Sequence, residues 1–266
     1  MSNNNLWEPK SYNSIGKFVT EYGNEIVELL SPQKDEKILD IGCGTGELTN
    51  KIKLQGASIV GIDVSNQMLN QAKKNYPNIQ FIEADAQQDL PFNSEDFDAV
   101  FSNAALHWML NPTAVIKNVN KILKKNGRFV LEMGGKGNIK NLLASLDKAS
   151  QKYAIQDYSL ENFYPSISEY TSLLENNGFL VKYAILFERP TLLEGSNGFR
   201  NWAMTFRKNL LDKVTNTDEF LEYAEKIAKP YLYKNNRWYA DYVRLRVVAY
   251  KTQYLTDFFS AKNFFS

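Results

Sequence analysis

The sequence predicts an α/β fold: a doubly wound, mostly parallel sheet of seven strands, with a helical lid inserted between the last two strands. Two observations lead to this prediction. In the first half of the chain, short apolar runs alternate with segments of helical periodicity, a pattern typical of parallel strands joined by right-handed crossovers. Towards the C-terminus, two further apolar strands flank a long helical stretch.

Each element is placed by its periodicity and by the turn residues beside it. An amphipathic helix over 12–30 is expected to end before Pro32, because proline cannot continue a helix. The seven strands are expected over 37–41, 58–62, 79–82, 97–101, 127–133, 179–187 and 242–250. Further helices are expected over 47–55, 66–75, 113–125 and 167–176, and the helical lid over 197–235.

Composition narrows the class of protein. The 31 basic and 30 acidic side chains leave a formal charge of +1, so there is no global field that would attract nucleic acid. The single Cys43 cannot form an internal disulfide or a cysteine metal site, which favours a reducing compartment. No secretory signal and no segment long and apolar enough to span a bilayer is present. We therefore expect a cytoplasmic protein that binds neither a membrane nor a metal.

The most informative motif is the glycine-rich loop between the first strand and the following helix, which reads Asp40-Ile41-Gly42-Cys43-Gly44-Thr45-Gly46. Glycines in such a loop allow a tight turn and a close approach of backbone to ligand. A phosphate-binding P-loop would have lysine where Glu47 stands. A dinucleotide fingerprint would have its third glycine one residue later than Gly46. Neither of these two nucleotide sites is therefore predicted.

Acidic residues follow three consecutive strands. Asp40 suits a ligand with an amino group and a sulfonium, because an adjacent opposite charge is favourable. Asp63 can accept hydrogen bonds from both hydroxyls of a ribose, and Asp85 from an adenine amino group. Any one of these acids could be a helix cap or turn residue, but the ordered set indicates S-adenosylmethionine. Val64 and Met68 could pack on the adenine, although Met68 could equally pack in the core.

These residues carry a family resemblance. The segment 40–46 with Asp63, Asp85 and the strand start Phe97-Asp98 resembles the class I S-adenosylmethionine-dependent methyltransferases over residues 37–133. More narrowly, Trp7, Tyr12 and the segment 102–108 (Ser-Asn-Ala-Ala-Leu-His-Trp) resemble the trans-aconitate methyltransferase branch. The resemblance implies a Rossmann-like fold in which an N-terminal segment covers the methyl donor. The expected cofactor-binding residues are Tyr12, Asp40, Gly42, Cys43, Gly44, Gly46, Asp63, Val64, Met68, Asp85, Ala86 and Asn103.

The domain organisation follows from the same pattern. No repeat, low-complexity tract or flexible linker divides the chain, so residues 1–266 are expected to form one methyltransferase domain. Within it, 1–30 is expected to be an N-terminal helical cover, 37–133 the cofactor-binding core and 197–235 the lid.

The acceptor site is less clearly marked. A sulfonium methyl is already activated, so the enzyme has to align a nucleophile and exclude water, and a carboxylate acceptor needs no general base. His107, the only histidine, could take a proton or orient an acceptor, or it could merely pack locally. Aromatic and arginine side chains of the insert could clamp a small anion, whereas Arg244 and Arg246 are expected to neutralise surface acids or to face the lid. The expected substrate residues are Trp7, His107, Trp108, Trp202 and Arg207.

The predicted function is methyl transfer from S-adenosylmethionine to a small molecule, with a trans-aconitate-like carboxylic acid as the favoured acceptor. A hydroxyl, amine or carbon acceptor is the alternative, and RNA or protein is disfavoured by the charge balance. Two other hypotheses remain: a nicotinamide-dependent dehydrogenase, which the glycine spacing disfavours, and a non-catalytic binding subunit, which the intact acids disfavour. We expect a monomer or a weak dimer.

Overall fold

The computed structural model describes residues 17–156, 158–159 and 161–252, so Trp7 and Tyr12 lie outside the described residues. The strands are β1 (Lys37–Ile41), β2 (Ser58–Asp63), β3 (Gln80–Glu83), β4 (Phe97–Asn103), β5 (Leu123–Gly134), β6 (Phe179–Leu193), β7 (Tyr233–Lys234) and β8 (Arg237–Lys251). The helices are α1 (Lys17–Leu30), α2 (Glu47–Leu54), α3 (Asn66–Asn75), α4 (Pro112–Ile122), α5 (Lys140–Lys152), α6 (Ile167–Glu175), α7 (Gly198–Phe206), α8 (Lys208–Leu211) and α9 (Thr217–Leu232), with a 3-10 helix at Leu106–Trp108.

The sheet has the strand order β3-β2-β1-β4-β5-β8-β6, and the short β7 pairs with β8. Strands β1 to β5 are parallel, and β8 is antiparallel to both of its long neighbours, β5 and β6. The prediction of a mostly parallel sheet with helices between its last two long strands is confirmed. Because β1, β2 and β4 are parallel and adjacent, the loops that follow them meet at one edge of the sheet.

Helices cover both faces of the sheet, as expected for a doubly wound fold. On one face, α1 to α3 pack against the strands through a core that includes Ile26, Ile52 and Leu69. On the other face, α4 and α6 pack through a core that includes Val119 and Tyr170. Strand β1 shows why both sides are apolar: Ile38 belongs to the first core and Leu39 and Ile41 to the second, because successive side chains alternate between faces.

A third hydrophobic cluster joins α5 to the inserted helices α7 to α9 and the start of β8. In α9, the side chain of Asn216 caps the N-terminus, and Phe220, Ala224 and Ala228 recur at four-residue spacing along one buried face. Helix α7 buries Phe199, Trp202 and Ala203 in the same way. This cluster holds the inserted helices together.

Two features of this region differ from the prediction. Helix α5 was not predicted, because its apolar stripe is short and lies in a polar segment. Strands β6 and β8 extend beyond the predicted bounds: the segment 188–193 of β6, which contains Pro190, pairs with residues 238–243 of β8. The pairing of β6 with β8 continues beyond Gly134, the last residue of β5. A segment that contains proline has a low strand propensity, so the pairing with β8 is what keeps it extended.

None of the helices in the described ranges combines the length and apolar composition that a membrane span requires.

Candidate functional site

A cavity of about 660 Å³ opens at the edge where β1, β2 and β4 end. One part is lined by the loops that follow these strands and β3, and the other by α7, two residues of β8 and the loop before α6. The glycine-rich loop and the inserted helices, which are far apart in sequence, therefore face one shared space.

The glycine-rich loop contributes Gly42 and Gly44 to the cavity wall, whereas Cys43 and Gly46 are not among the lining residues. The amides of Gly42 and Cys43 both donate to the carbonyl of Ile62, which ties the loop to the end of β2. Gly42 has φ of 74°, and a Cβ at this position would lie 2.2 Å from Cβ of Ala105. Any side chain at Gly42 would thus be strained and would collide with the loop after β4.

Asp63 lies at the end of β2 and lines the cavity. Its carboxylate accepts from the amide of Gly44 at 3.0 Å and from the amide of Ser65 at 2.9 Å. Burial raises the pKa of Asp63, and these backbone donors act in the opposite direction. Asp63 therefore holds the glycine-rich loop in shape while its carboxylate borders the cavity.

Asp40 is placed differently from the other two acids. It lies on the face of β1 that α2 covers, and its buried carboxylate accepts from Oγ1 of Thr49 at 2.6 Å. Burial raises the pKa of Asp40 to about 7. Asp40 is not among the residues that line the cavity, so the structure does not bring it to the position that the sequence suggested.

The far end of the cavity, next to β3, has polar and apolar walls. Asp85 lines it and accepts from the amide of Gln87 at 2.9 Å, which leaves the carboxylate in a tight turn. Ala86 and Met68 are buried residues of the cavity wall, whereas Val64 and Leu110 are large apolar side chains that remain at least half exposed there. Such exposed apolar walls next to a carboxylate suit a flat heterocycle with an amino group.

Asn103, the last residue of β4, and His107, in the 3-10 helix that follows, both line the cavity. Nδ1 of the buried His107 accepts from the amide of Gly134 at 3.3 Å. Because a neutral imidazole has one acceptor and one donor nitrogen, this bond assigns the hydrogen to Nε2. Burial, followed by the charges of Arg244 and Arg207, holds the pKa of His107 well below its usual value. His107 is therefore a neutral hydrogen-bond donor at neutral pH.

Two buried arginines, Arg207 after α7 and Arg244 on β8, also line the cavity. The Nε atom of each has no hydrogen-bond partner among the described residues. In the same part of the chain, neither guanidinium lies within ion-pair distance of a carboxylate. Buried charges are normally paired, so this end of the cavity has a positive charge that no described side chain neutralises.

Aromatic side chains give this end its shape. Nε1 of Trp202 donates to the hydroxyl of Tyr242 at 2.7 Å, which joins α7 to β8. The guanidinium of Arg207 lies 5.4 Å from the ring centroid of Trp108 and 5.5 Å from that of Trp202. These rings restrict the position of the guanidinium while leaving its charge intact.

Several lining residues were not in the predicted set. They include Arg244, Tyr242, Tyr164 and Asn138. Arg244 and Arg246 look equivalent in sequence, and both were predicted to neutralise surface acids or to face the lid. Arg246 pairs with the buried Glu132 and with the exposed Glu25, whereas Arg244 lines the cavity. Among the described residues, no group of acids, histidine and cysteine is arranged to hold a metal.

Comparison with known proteins identifies the family. A model of the methyltransferase domain matches residues 39–131. An uncharacterised methyltransferase of Schizosaccharomyces pombe is 32% identical over 258 residues, which cover 92% of this chain and 98% of that protein. A malonyl-[acyl-carrier protein] O-methyltransferase of Halalkalibacterium halodurans is 26% identical over 92% of this chain and 88% of its own length.

Solved structures show the same fold. A phosphoethanolamine N-methyltransferase of Haemonchus contortus, solved with phosphomonomethylethanolamine and S-adenosylhomocysteine, has a TM-score of 0.57 at 17% identity. The match covers 88% of this chain and 53% of that one. The strand order, the glycine-rich loop at the sheet edge and the full-length relative agree, and the chain belongs to the class I S-adenosylmethionine-dependent methyltransferases.

Proposed function

We propose that this methyltransferase binds S-adenosylmethionine along the loops after β1 to β4 and transfers its methyl group to an oxygen of a small carboxylic acid. Gly42 and Gly44 would admit the methionine part of the donor, Asp63 would accept from the ribose hydroxyls, and Asp85 would face the adenine amino group. The exposed apolar walls at Val64 and Leu110 support this orientation, because they suit an adenine. Asn103 would be a neighbour of the bound donor, as the family resemblance implies.

One observation carries the acceptor assignment: Arg207 and Arg244 are buried in the cavity wall, and each has an Nε without a partner among the described residues. A carboxylate would neutralise these charges and satisfy these donors in a planar, bidentate geometry. A neutral acceptor would leave both charges uncompensated, which is costly in a buried site. A trans-aconitate-like acid and the malonyl group named for the Halalkalibacterium relative both contain such a carboxylate.

The proposed mechanism requires little proton transfer by the protein. S-adenosylmethionine supplies an electrophilic methyl group, and an ionised carboxylate is already a nucleophile, so no general base is needed. The arginines would hold the carboxylate in line, while Trp202 and Tyr242 would exclude water from the reaction centre. His107, as a neutral donor, would orient an acceptor oxygen through Nε2–H.

The donor site is tested by calorimetric titration of S-adenosylmethionine and S-adenosylhomocysteine into the wild type, Asp63→Ala and Asp89→Ala. Asp89 is the control, because its side chain is 93% exposed and lies outside the cavity. We expect Asp63→Ala to weaken both ligands by about tenfold or more, since it removes hydrogen bonds to a charged group, and Asp89→Ala to bind normally. Absence of binding to the folded wild type would contradict the donor assignment.

The acceptor class is tested by measuring S-adenosylhomocysteine release with small mono-, di- and tricarboxylates and malonyl thioesters, each beside the corresponding amide. Turnover of acids but not of amides is expected. In Arg244→Gln, the KM for the best acid should rise by about ten- to a hundredfold while donor affinity is unchanged. Turnover of neutral hydroxyl or amine compounds by both proteins would support the alternative acceptor instead.

A further inference from the structure

A single side-chain amide connects the two parts of the acceptor site. Asn162 lies in the segment between α5 and α6, and its Oδ1 accepts from Nη2 of Arg207 at 2.9 Å. Its Nδ2 donates to the carbonyl oxygen of His107 at 3.3 Å, and the same carbonyl accepts from the amide of Phe163 at 2.9 Å. One asparagine thus links the arginine that follows α7 to the 3-10 helix that carries the histidine.

The groups that hold Arg207 are electrically neutral. Besides Asn162, the carbonyl of Phe206 accepts from Nη1 at 3.0 Å. Glu161 lines the same cavity but is exposed, and it makes no ion pair with Arg207 in the described ranges. Arg128, by contrast, is held by an acid, because its guanidinium lies 2.6 Å from the carboxylate of Glu36. The neutral partners of Arg207 fix its direction without reducing its charge.

We propose that Asn162 is a positioning residue for the acceptor: it aims the guanidinium of Arg207 into the cavity and leaves its positive charge available to an anionic ligand. Aspartate has nearly the same shape as asparagine, but at this position it would form an ion pair with Arg207 and compete with the ligand. This inference rests on the proposed function, because it assumes that the acceptor is a carboxylate.

The test uses Asn162→Asp, Asn162→Ala and a matched control, Asn177→Asp. Asn177 is also partly buried and donates through Nδ2 to a backbone carbonyl, that of Leu173, at 2.7 Å. It precedes β6, whose first residues lie at the opposite edge of the sheet from the cavity. Each protein is saturated with S-adenosylhomocysteine and titrated calorimetrically with malonate, and with malonamide as the neutral probe.

We expect Asn162→Asp to lower malonate affinity about tenfold or more, the usual effect of changing a charged hydrogen bond, with S-adenosylhomocysteine affinity within about twofold of wild type. Asn162→Ala, which removes one neutral partner of Arg207 without neutralising its charge, should show a smaller loss, and Asn177→Asp none. Malonamide binding should not distinguish Asn162→Asp from Asn162→Ala. A purely structural role predicts the same loss in both Asn162 variants, and that result would overturn the inference.

A further arm separates this inference from the proposed function. Arg207→Gln and Arg244→Gln are titrated with malonate in the same way. If they lose affinity while Asn162→Asp binds malonate like the wild type, only the role of Asn162 is rejected. If malonate does not bind the wild type, or binds both arginine variants equally well, the carboxylate site itself is rejected.

Discussion

The amide of Gly134, at the end of β5, donates to Nδ1 of His107, at a distance of 3.3 Å. The bond spans 27 positions of the sequence and joins the strand end to the 3-10 helix after β4. It occupies the nitrogen that would otherwise accept a proton, so the hydrogen of the neutral ring is on Nε2. The predicted candidate base therefore has the geometry of a donor.

His107→Gln and His107→Phe distinguish a donor from a base. Glutamine can place an amide N–H near the position of Nε2–H, so we expect kcat/KM to fall by less than about tenfold, whereas phenylalanine should cost about ten- to a hundredfold. Because the pKa of His107 is held well below its usual value, the pH profile of wild-type kcat/KM should have no limb near pH 6.5 that is due to this residue. If His107 were a general base, both variants would lose about a hundredfold or more in kcat/KM. The limb that this residue gives to the wild-type pH profile would also be absent from both variants.

Gly134→Ala tests the close packing behind His107. A Cβ at this position would lie 2.6 Å from Cε1 of Tyr164 and 2.7 Å from Nδ2 of Asn138. We expect the free energy of unfolding to fall by about 1–3 kcal/mol, measured by urea denaturation, because the neighbours must shift. In a Tyr164→Ala background the same substitution should cost clearly less, since the obstructing ring is gone; additive losses would contradict this explanation.

Asp40→Asn tests the buried carboxyl beneath the glycine-rich loop. Its pKa is about 7 in the folded protein and near 3.8 when unfolded, so its contribution to stability is present below pH 3.8 and is lost as the pH rises through 7. Asparagine keeps an acceptor for Thr49 but cannot ionise. Unfolding measured between pH 5 and pH 8 should show a gain for Asp40→Asn that grows with pH, on the order of a few kcal/mol. A difference independent of pH would show that Asp40 is ionised at little cost.

Glu132→Gln tests the buried ion-pair network on β5. Glu132 is 3% exposed, and its carboxylate contacts Arg189 at 2.5 Å and Arg246 at 2.6 Å. Removing its charge takes away the buried carboxylate that Arg189 and Arg246 share, so we expect a loss of about 3–5 kcal/mol in urea denaturation. The control is Glu225→Gln, whose partner Arg200 also reaches the exposed Asp218; a comparable loss there would contradict the argument from burial.

The proposed donor half of the site was predicted from the sequence because its signals are local. A glycine-rich loop directly after a strand, and an acid at the end of each of the next two strands, define a ligand site once the strands are parallel, and the fold places Gly42, Gly44, Asp63 and Asp85 around one cavity. Asp40 shows the limit of this reasoning. The position in sequence did not reveal which face of β1 its side chain occupies, and that face is the one covered by α2.

The proposed acceptor half of the site depends on tertiary structure. Arg244 and Arg246 are two positions apart in β8, so the sequence pattern does not distinguish them. The register of β8 against β5 sets Arg246 opposite Glu132, and it sets Arg244 opposite Gly134, the last residue of β5. One arginine is therefore neutralised within the sheet, and the other extends past the sheet edge into the cavity. Composition and periodicity determine which residues form strands and helices, because those signals depend on near neighbours. The register between β5 and β8, over a hundred residues apart, depends on packing, and only packing decides which buried charge remains for a ligand.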